Sequence, residues 1–511
     1  MKPPQSINHS DTPGLAGSHL ERMNDYASTL PAMLRLPREL RDLIYEHYVQ
    51  VDGGYIHNFE TNRLLQADGF PISTGLALTC RQIAAELRGL ALRQNTITFY
   101  THFSESTRQQ AGLLHGSMYV IRHRKHMLLR HLIPRLLSSD MVQRAIDAYP
   151  QFTHVFDDWT PPREIFALYK HEFDCGEAPS TWEDFINCVF SLLSDHPTCQ
   201  DEADSMPHHW TEEAPWNVSA LDEACPESWL IPTTSEINRL ASIADVEVGT
   251  LYSSRLEYRY SAASVALRFL HAIPSSSRNE VRNVVLHEDC ESIANAASHG
   301  RGFIPLCRSN QRLRVQRIVN VWSSVFRAGP GSLIKYLSAF RENSDIVKDD
   351  RLLSSTITKA VGAWIVEAQA LSSLGMPQDS FSVLLDGSPT PRHTSTVFKI
   401  VQRDVAWQLA LDAAYARGLL PTPLWYERRA RVGYQYEGLP AAIRDMSIGN
   451  GPTSCNFDTG APVDVESILE LHRGWSLQQW QLSWDWHQPH SFQTEDPLPL
   501  WHVLKWLRVM L

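Results

Sequence analysis

The sequence predicts a mixed α and β fold, predominantly helical, with a helical N-terminal subdomain followed by a region in which helices and short strands alternate. Two patterns carry this expectation. Apolar residues recur at 3.6-residue spacing in several long windows, and short β-branched runs with period-2 alternation lie between those windows. A third observation sets the scale: 511 residues, 43% hydrophobic and 20% charged, with a net charge of -11, have the composition of a globular protein of roughly three domains' length. No uncharged apolar run approaches the ~18 residues that a membrane helix requires, the best being 112–121, 185–194 and 360–366. The expectation is a protein of the cytoplasm or nucleus with no membrane partner.

The elements follow in order. Residues 1–30 are polar and Pro-containing and read as a disordered leader. In 31–103, Pro37 stands where a first helical turn tolerates proline, and Leu40, Leu43, Ile44 and Tyr48 share one face, predicting an amphipathic helix to about Val49 whose apolar face either packs internally, Leu40 and Ile44 against Cys80 and Ile83, or is left for a partner. After Gly53-Gly54 comes a loop or hairpin. Ser73 or Thr74 then caps a second helix, whose apolar positions Leu76, Cys80, Ile83, Leu87 and Leu90 carry it to about Asn95; 96–100 alternates as a strand. Residues 104–170 form a basic helical segment and 171–238 an acidic, loop-rich segment with Pro and Trp. In 239–420, helices at 261–272, 356–374 and 397–417 alternate with strands at 281–286, 313–321 (interrupted at Arg317) and 381–385. Such alternation implies parallel pairing with helices packed on a sheet. Residues 421–511 read as a Trp-rich brace, with Trp475, Trp480, Trp484, Trp486, Trp501 and Trp506 and the stripe Leu500, Val503, Leu504, Leu507 and Leu511.

Charge is segregated along the chain. From 171 to 238 there is no Lys or Arg, while 15 of the 57 acidic residues fall there. Two acid-free stretches, 106–139 and 292–341, hold clustered bases, and Arg122, Arg124, Lys125, Arg312, Arg314 and Arg317 form the candidate basic surface. Clustered bases suit phosphates, but a chain acidic overall can neutralise them internally. The acidic segment is therefore expected to fold back on one or both basic stretches, and nucleic acid is not the expected partner.

The eight cysteines show no C-x-x-C pair and read as reduced thiols. Four of them lie between 175 and 225, near His171, His196, His208 and His209, but only His208/His209 and His196-x-x-Cys199 come close to the closely spaced ligand pairs of structural zinc sites, so no metal is expected. The phosphate-loop, metalloprotease, nucleophile-elbow and dinucleotide motifs are all missing from the sequence. The weak catalytic candidates are His287, Glu288 and Asp289 after the strand 281–286, since a His beside carboxylates at the carboxyl end of a strand can act as a base. No nucleophile accompanies them, so a non-enzymatic interaction protein without a cofactor is the leading reading; an enzyme using these residues and a nucleic-acid binder using the basic stretches are the alternatives.

The segment 34–46, Leu-Arg-Leu-Pro-Arg-Glu-Leu-Arg-Asp-Leu-Ile-Tyr-Glu, followed by 76–86, Leu-Ala-Leu-Thr-Cys-Arg-Gln-Ile-Ala-Ala-Glu, and by 95–99, Asn-Thr-Ile-Thr-Phe, resembles the F-box-like N-terminus of fungal proteins, with its LPxELRxxIY and CRQIxxE patterns. The resemblance implies a helical module at 31–103 that docks a Skp-type subunit of a cullin-RING ubiquitin ligase, while the C-terminal region selects a protein target. It implies docking through Leu36, Pro37, Leu40 and Ile44. Independently of the resemblance, the helix and strand alternation of 239–420 is compatible with an irregular leucine-rich-repeat-like solenoid, with no clean repeat period for a regular horseshoe.

Overall fold

The computed structural model describes residues 31–159, 175–206, 216–246, 257–326, 351–431, 433–501 and 503–504. It is a mixed α and β protein, 56% helical, organised on a seven-stranded, mostly parallel sheet. The strands are β1 (Tyr55–Asn58), β2 (Arg63–Gln66), β3 (Thr96–Tyr100), β4 (Asn283–Glu288), β5 (Arg314–Asn320), β6 (Phe381–Asp386) and β7 (Thr453–Cys455). Their spatial order is β2-β1-β3-β4-β5-β6-β7, with only the β1-β2 hairpin antiparallel. The parallel strands therefore follow one another in chain order. Among the described residues that order contains no reversal of the kind that opens a switch-point crevice in α/β sheets.

The predicted strands at 96–100 and 381–385 form as expected, and the one placed at 281–286 runs two residues later. Their inward residues are Ile97, Phe99, Val284, Leu286, Val315, Val319, Val383 and Leu385, all buried. Arg317, which breaks the apolar alternation of β5, does not break the strand: it too points inward, 1% exposed, against Glu288. Helix α7 (Ala262–Ala272) packs on β3 and β4, and α8 (Ser354–Ser373) and α9 (Pro391–Ala416) pack together on the same core.

Earlier in the chain are α1 (Arg38–Val49), α2 (Arg81–Leu87), α3 (Leu90–Gln94), α4 (Glu105–Leu136), α5 (Pro179–Ser194) and α6 (Thr234–Ala244). The single helix expected to end near Asn95 is instead three pieces, a 3-10 turn at Leu76–Leu78, then α2 and α3. The breaks are local. Cys80 is extended and caps α2, its sulfur accepting from the Ile83 N–H at 3.5 Å, and Gly89 at φ 73 takes the left-handed conformation between α2 and α3.

The segment 171–238, expected to be loop-rich, carries helices among its described loops, namely α5, Cys199–Asp204, Val218–Glu223 and the start of α6. Trp182, Phe185, Ile186, Val189, Phe190 and Leu193 make an i, i+3, i+4, i+7, i+8, i+11 stripe on α5, and all are buried. The segment does fold back on basic α4, with ion pairs Arg122–Glu183 at 3.9 Å and Arg135–Glu202 at 3.5 Å. Exposed pairs contribute only ~0–1 kcal/mol. Each buried Phe or Leu contributes roughly 1.5–3 kcal/mol. The apolar stripe therefore holds the segment down, and charge merely agrees with it.

At the C-terminus, Trp480 and Trp484 of α10 (Leu477–Asp485) are buried beside Trp407, Leu411 and Ala414 of α9, and Trp501 is buried in the main core. A short ribbon pairs Leu352 with Phe492 and Leu353 with Ser491. Trp486, by contrast, is exposed, as are Leu500 and Val503. The expected stripe from Leu500 to Leu511 is thus not a buried face at its first positions, and Trp506, Leu507 and Leu511 lie outside the described residues. No described helix is long and apolar enough to cross a membrane. The leader expected at 1–30 also lies outside the described residues.

Candidate functional site

Helix α1 begins after Pro37, and the internal packing of its apolar face, one of the two readings of the sequence, does not form. The residues it buries are Arg41, Tyr45 and Val49, one stripe at i, i+4 and i+8. What makes this affordable is Glu86 on α2. Arg41 donates to it twice, Nε to Oε2 at 3.0 Å and Nη2 to Oε1 at 2.7 Å, and the Tyr45 hydroxyl donates to Oε2 at 2.7 Å. Arg38 adds a contact at 3.0 Å, Gln82 Nε2 donates at 3.1 Å, and Arg41 Nη1 donates to the Leu36 carbonyl at 2.7 Å. A bidentate guanidinium and a phenol satisfy the carboxylate. The Arg41 guanidinium, aided by Tyr45, holds the Glu86 carboxyl down at about 2.

That depression fixes a pH dependence. The contribution of Glu86 is complete above the ordinary carboxyl value of 4.5 and is lost as pH falls toward about 2. Hydrogen exchange in α1 and α2 is expected to lose protection across that window in the wild-type chain. Glu86→Gln should show weakened protection already at neutral pH and little further change down to pH 3; an acid response identical to wild type would contradict the assignment.

With the polar stripe inward, the apolar stripe faces out. Leu40 is 47% exposed, Leu43 57% and Ile44 41%, with Tyr48 continuing the face. The Tyr48 hydroxyl lies 2.8 Å from Ser73 Oγ and accepts from the Leu76 N–H at 3.1 Å, which brings the turn carrying Leu78, 81% exposed, alongside the end of that face. Leu36 is half-buried and Pro37 exposed. Of the four residues named for docking, Leu40 and Ile44 thus lie on an open apolar surface, flanked by Pro37.

The second surface is the sheet's other face. Strand register aligns Ile56, Thr98, Val285, Gln316 and Ser382 in one row, and Tyr100, His287, Ile318, Leu384 and Ser454 in the next. Tyr100, Gln316, Ser382 and Ser454 are exposed, Ile56, Val285, His287, Ile318 and Leu384 are half-buried, and Thr98 is buried. Parallel sheets are ordinarily covered on both faces. Among the described residues, this one is fully covered on one face, while these two rows of the other are largely half-buried or exposed, Thr98 alone among them being buried.

The catalytic candidates do not converge, because successive residues of a strand point to opposite faces. His287 lies on the open face, its ring stacked on Tyr100 at 4.9 Å, and burial pushes its pKa down. Glu288 lies in the core, accepting from Arg317 Nε at 2.9 Å and Nη2 at 2.6 Å and from the Ala262 and Ala263 N–H groups of α7 at 3.0 and 3.2 Å. Asp289 is exposed and accepts from the Thr101 hydroxyl. Next to Glu288, His299 Nε2 donates to the Ala294 carbonyl at 2.8 Å, so Nδ1 accepts from Ser261 at 2.6 Å. Burial pushes this imidazole down to about 3, and it stays neutral as a brace of the α7 cap.

The basic residues do not form one surface either. Arg124, Lys125 and Arg317 are buried, Arg122 is half-buried, and only Arg312 and Arg314 are exposed. Arg124 donates to the Ile243 carbonyl at 3.0 Å and lies over the Trp216 ring. Arginines with long stems satisfy internal carbonyls here instead of phosphates. All eight cysteines are free thiols, and no group of three or more metal-ligating side chains forms among the described residues; His171, His208 and His209 lie outside them.

Sequence reasoning missed the inward set Arg41, Tyr45 and Glu86, although all three stand inside the two quoted motifs. The signal was the i, i+4 pairing of a guanidinium and a phenol on one helix with an acid on the next. Compared with known protein families, curated proteins and solved structures, the chain matches none.

Proposed function

We propose that the protein is a non-enzymatic interaction adaptor: the outward face of α1 docks a Skp-type subunit of a cullin-RING ubiquitin ligase, and the open sheet face receives the protein target. The observation that carries this reading is the outward apolar face of α1. A helix that spends a salt-bridged Arg and a Tyr on its own fold, and turns Leu40, Leu43 and Ile44 to solvent, keeps an apolar surface available for a partner. The sequential parallel order with one open face supports an irregular solenoid for the rest, the layout in which a concave sheet meets a target. Such an adaptor works in the cytoplasm or nucleus, where the eight free thiols stay reduced.

The test is binding of the full chain to a purified Skp-type subunit. Two buried anchors at an interface core typically cost more than 1 kcal/mol each. Leu40→Glu combined with Ile44→Glu is therefore expected to weaken binding by more than tenfold while leaving the melting temperature within a few degrees, since neither residue is buried in the fold. Failure of the wild-type chain to bind, or undiminished binding by the variant, would remove the reading.

A further inference from the structure

A cavity of about 250 Å³ lies between α4, α5 and the loop that follows the helix Val218–Glu223, and Lys125 and Cys225 both line it. Lys125 is 3% exposed. Its Nζ donates to Asn187 Oδ1 at 2.9 Å, to the Ala224 carbonyl at 3.3 Å and to Cys225 Sγ at 3.1 Å, so its hydrogen-bond acceptors are a neutral amide, a carbonyl and the sulfur. The Phe190 ring closes the other side at 5.5 Å. Cys225 belongs to the exposed surface, and its thiol donates to the Asp222 carbonyl at 3.2 Å. An amine nitrogen locked within contact of a solvent-reachable sulfur is an arrangement that ordinary packing does not require.

We propose that Cys225 is a peroxide-responsive thiol whose sulfenic acid is captured by the Lys125 amine as a reversible sulfenamide cross-link. In the first step, hydrogen peroxide transfers one oxygen to sulfur, the peroxide O–O bond breaks, sulfur loses two electrons, and water leaves. In the second, the Lys125 ammonium gives one proton to solvent and its nitrogen attacks sulfur. The S–N bond forms, the S–O bond breaks, and the hydroxyl departs as water with the second amine proton. This condensation is redox-neutral. Proximity favours it, because the nitrogen is held at contact distance and needs no diffusional encounter.

Four of the other thiols are poorer candidates. Burial pushes Cys199 up to about 11 and Cys307 up to about 12, and also raises Cys188 and Cys455, which disfavours the reactive thiolate. The cross-link would fasten the acidic segment to α4 from the solvent side, and a thiol reductant would release it.

The experiment exposes the full chain to hydrogen peroxide under native conditions and maps the peptides by mass spectrometry. The expected product is a linked Lys125–Cys225 peptide lighter than its parts by two hydrogens, absent in Cys225→Ser and lost on treatment with a thiol reductant. Dimedone added with the peroxide should divert Cys225 to the trapped sulfenic acid. Lys125→Arg should let Cys225 run on to sulfinic acid. The proposal is overturned if wild-type Cys225 reaches sulfinic or sulfonic acid with Lys125 still free, if the linked peptide retains an oxygen, or if Cys225 does not react. These outcomes are read on the wild-type chain and stand whether or not the Lys125 variant folds.

Discussion

Replacing Arg317 by Met is expected to destabilise the protein by about 3–5 kcal/mol, read as a fall in the urea midpoint at an unchanged slope. The guanidinium is 1% exposed, donates to Glu288 at 2.6 and 2.9 Å, and lies 4.6 Å from the centre of the Trp364 ring. Removing it leaves Glu288 in the core with only the α7 N–H groups to answer its charge. The cost is that of an orphaned buried charge and not the net worth of the pair. Combining Arg317→Met with Glu288→Leu should therefore recover most of the loss. Arg314→Met, on the same strand but exposed, should change stability by no more than about 0.5 kcal/mol. A single Arg317 variant as stable as the wild type would show that Glu288 is not held as a charged partner.

Glu367→Gln is expected to stabilise the protein near pH 8 and to flatten its stability between pH 4.5 and 7. Glu367 stands on α8 and is buried against the start of α5, accepting from the Ser180 N–H at 2.7 Å and from its hydroxyl at 2.6 Å. Burial pushes its carboxyl up from 4.5 to about 7, against the opposing pull of Ser180 and Arg301, while Asp184 adds to the rise. Since the folded value lies above the unfolded one, the favourable contribution is complete below 4.5 and is lost as pH rises through about 7. Gln mimics the protonated acid at every pH, its amide donating to the Ser180 hydroxyl. The expected gain at pH 8 is on the order of 2 kcal/mol. Chemical denaturation of both chains at pH 5 and pH 8 checks it: equal pH slopes would show that Glu367 does not titrate in this window.

Both buried acids answer partners far away in sequence, and this marks the boundary between what the residues announce and what folding decides. Periodicity alone was enough for α1, α7, α8, α9, β3 and β6, because each repeats apolar residues at its own period over enough turns or alternations to exclude the other. The alternation of helix and strand was enough for a parallel sheet with helices packed on it. It did not reveal that, among the described residues, one sheet face is only partly covered, since a half-buried row such as Val285, Ile318 and Leu384 reads like a buried one until the neighbouring elements are placed.

The direction of α1 was beyond the sequence for a related reason. Counting apolar positions puts Leu40, Leu43 and Ile44 on one face without saying whether it packs inside, and burial of Arg41 becomes favourable only because Glu86 arrives from another helix with matching geometry. The same holds at Arg317, read along the chain as an interruption of a strand and stabilised by an acid on the adjacent strand. His287 and Glu288 are neighbours in sequence, yet the pleat sends one to the open face and the other into the core. The sequence by itself determined the elements, since each depends on residues a few positions apart. Only the tertiary structure decided which of their faces are inside, because a charged or apolar side chain is buried or exposed according to the partners that distant parts of the chain bring to it.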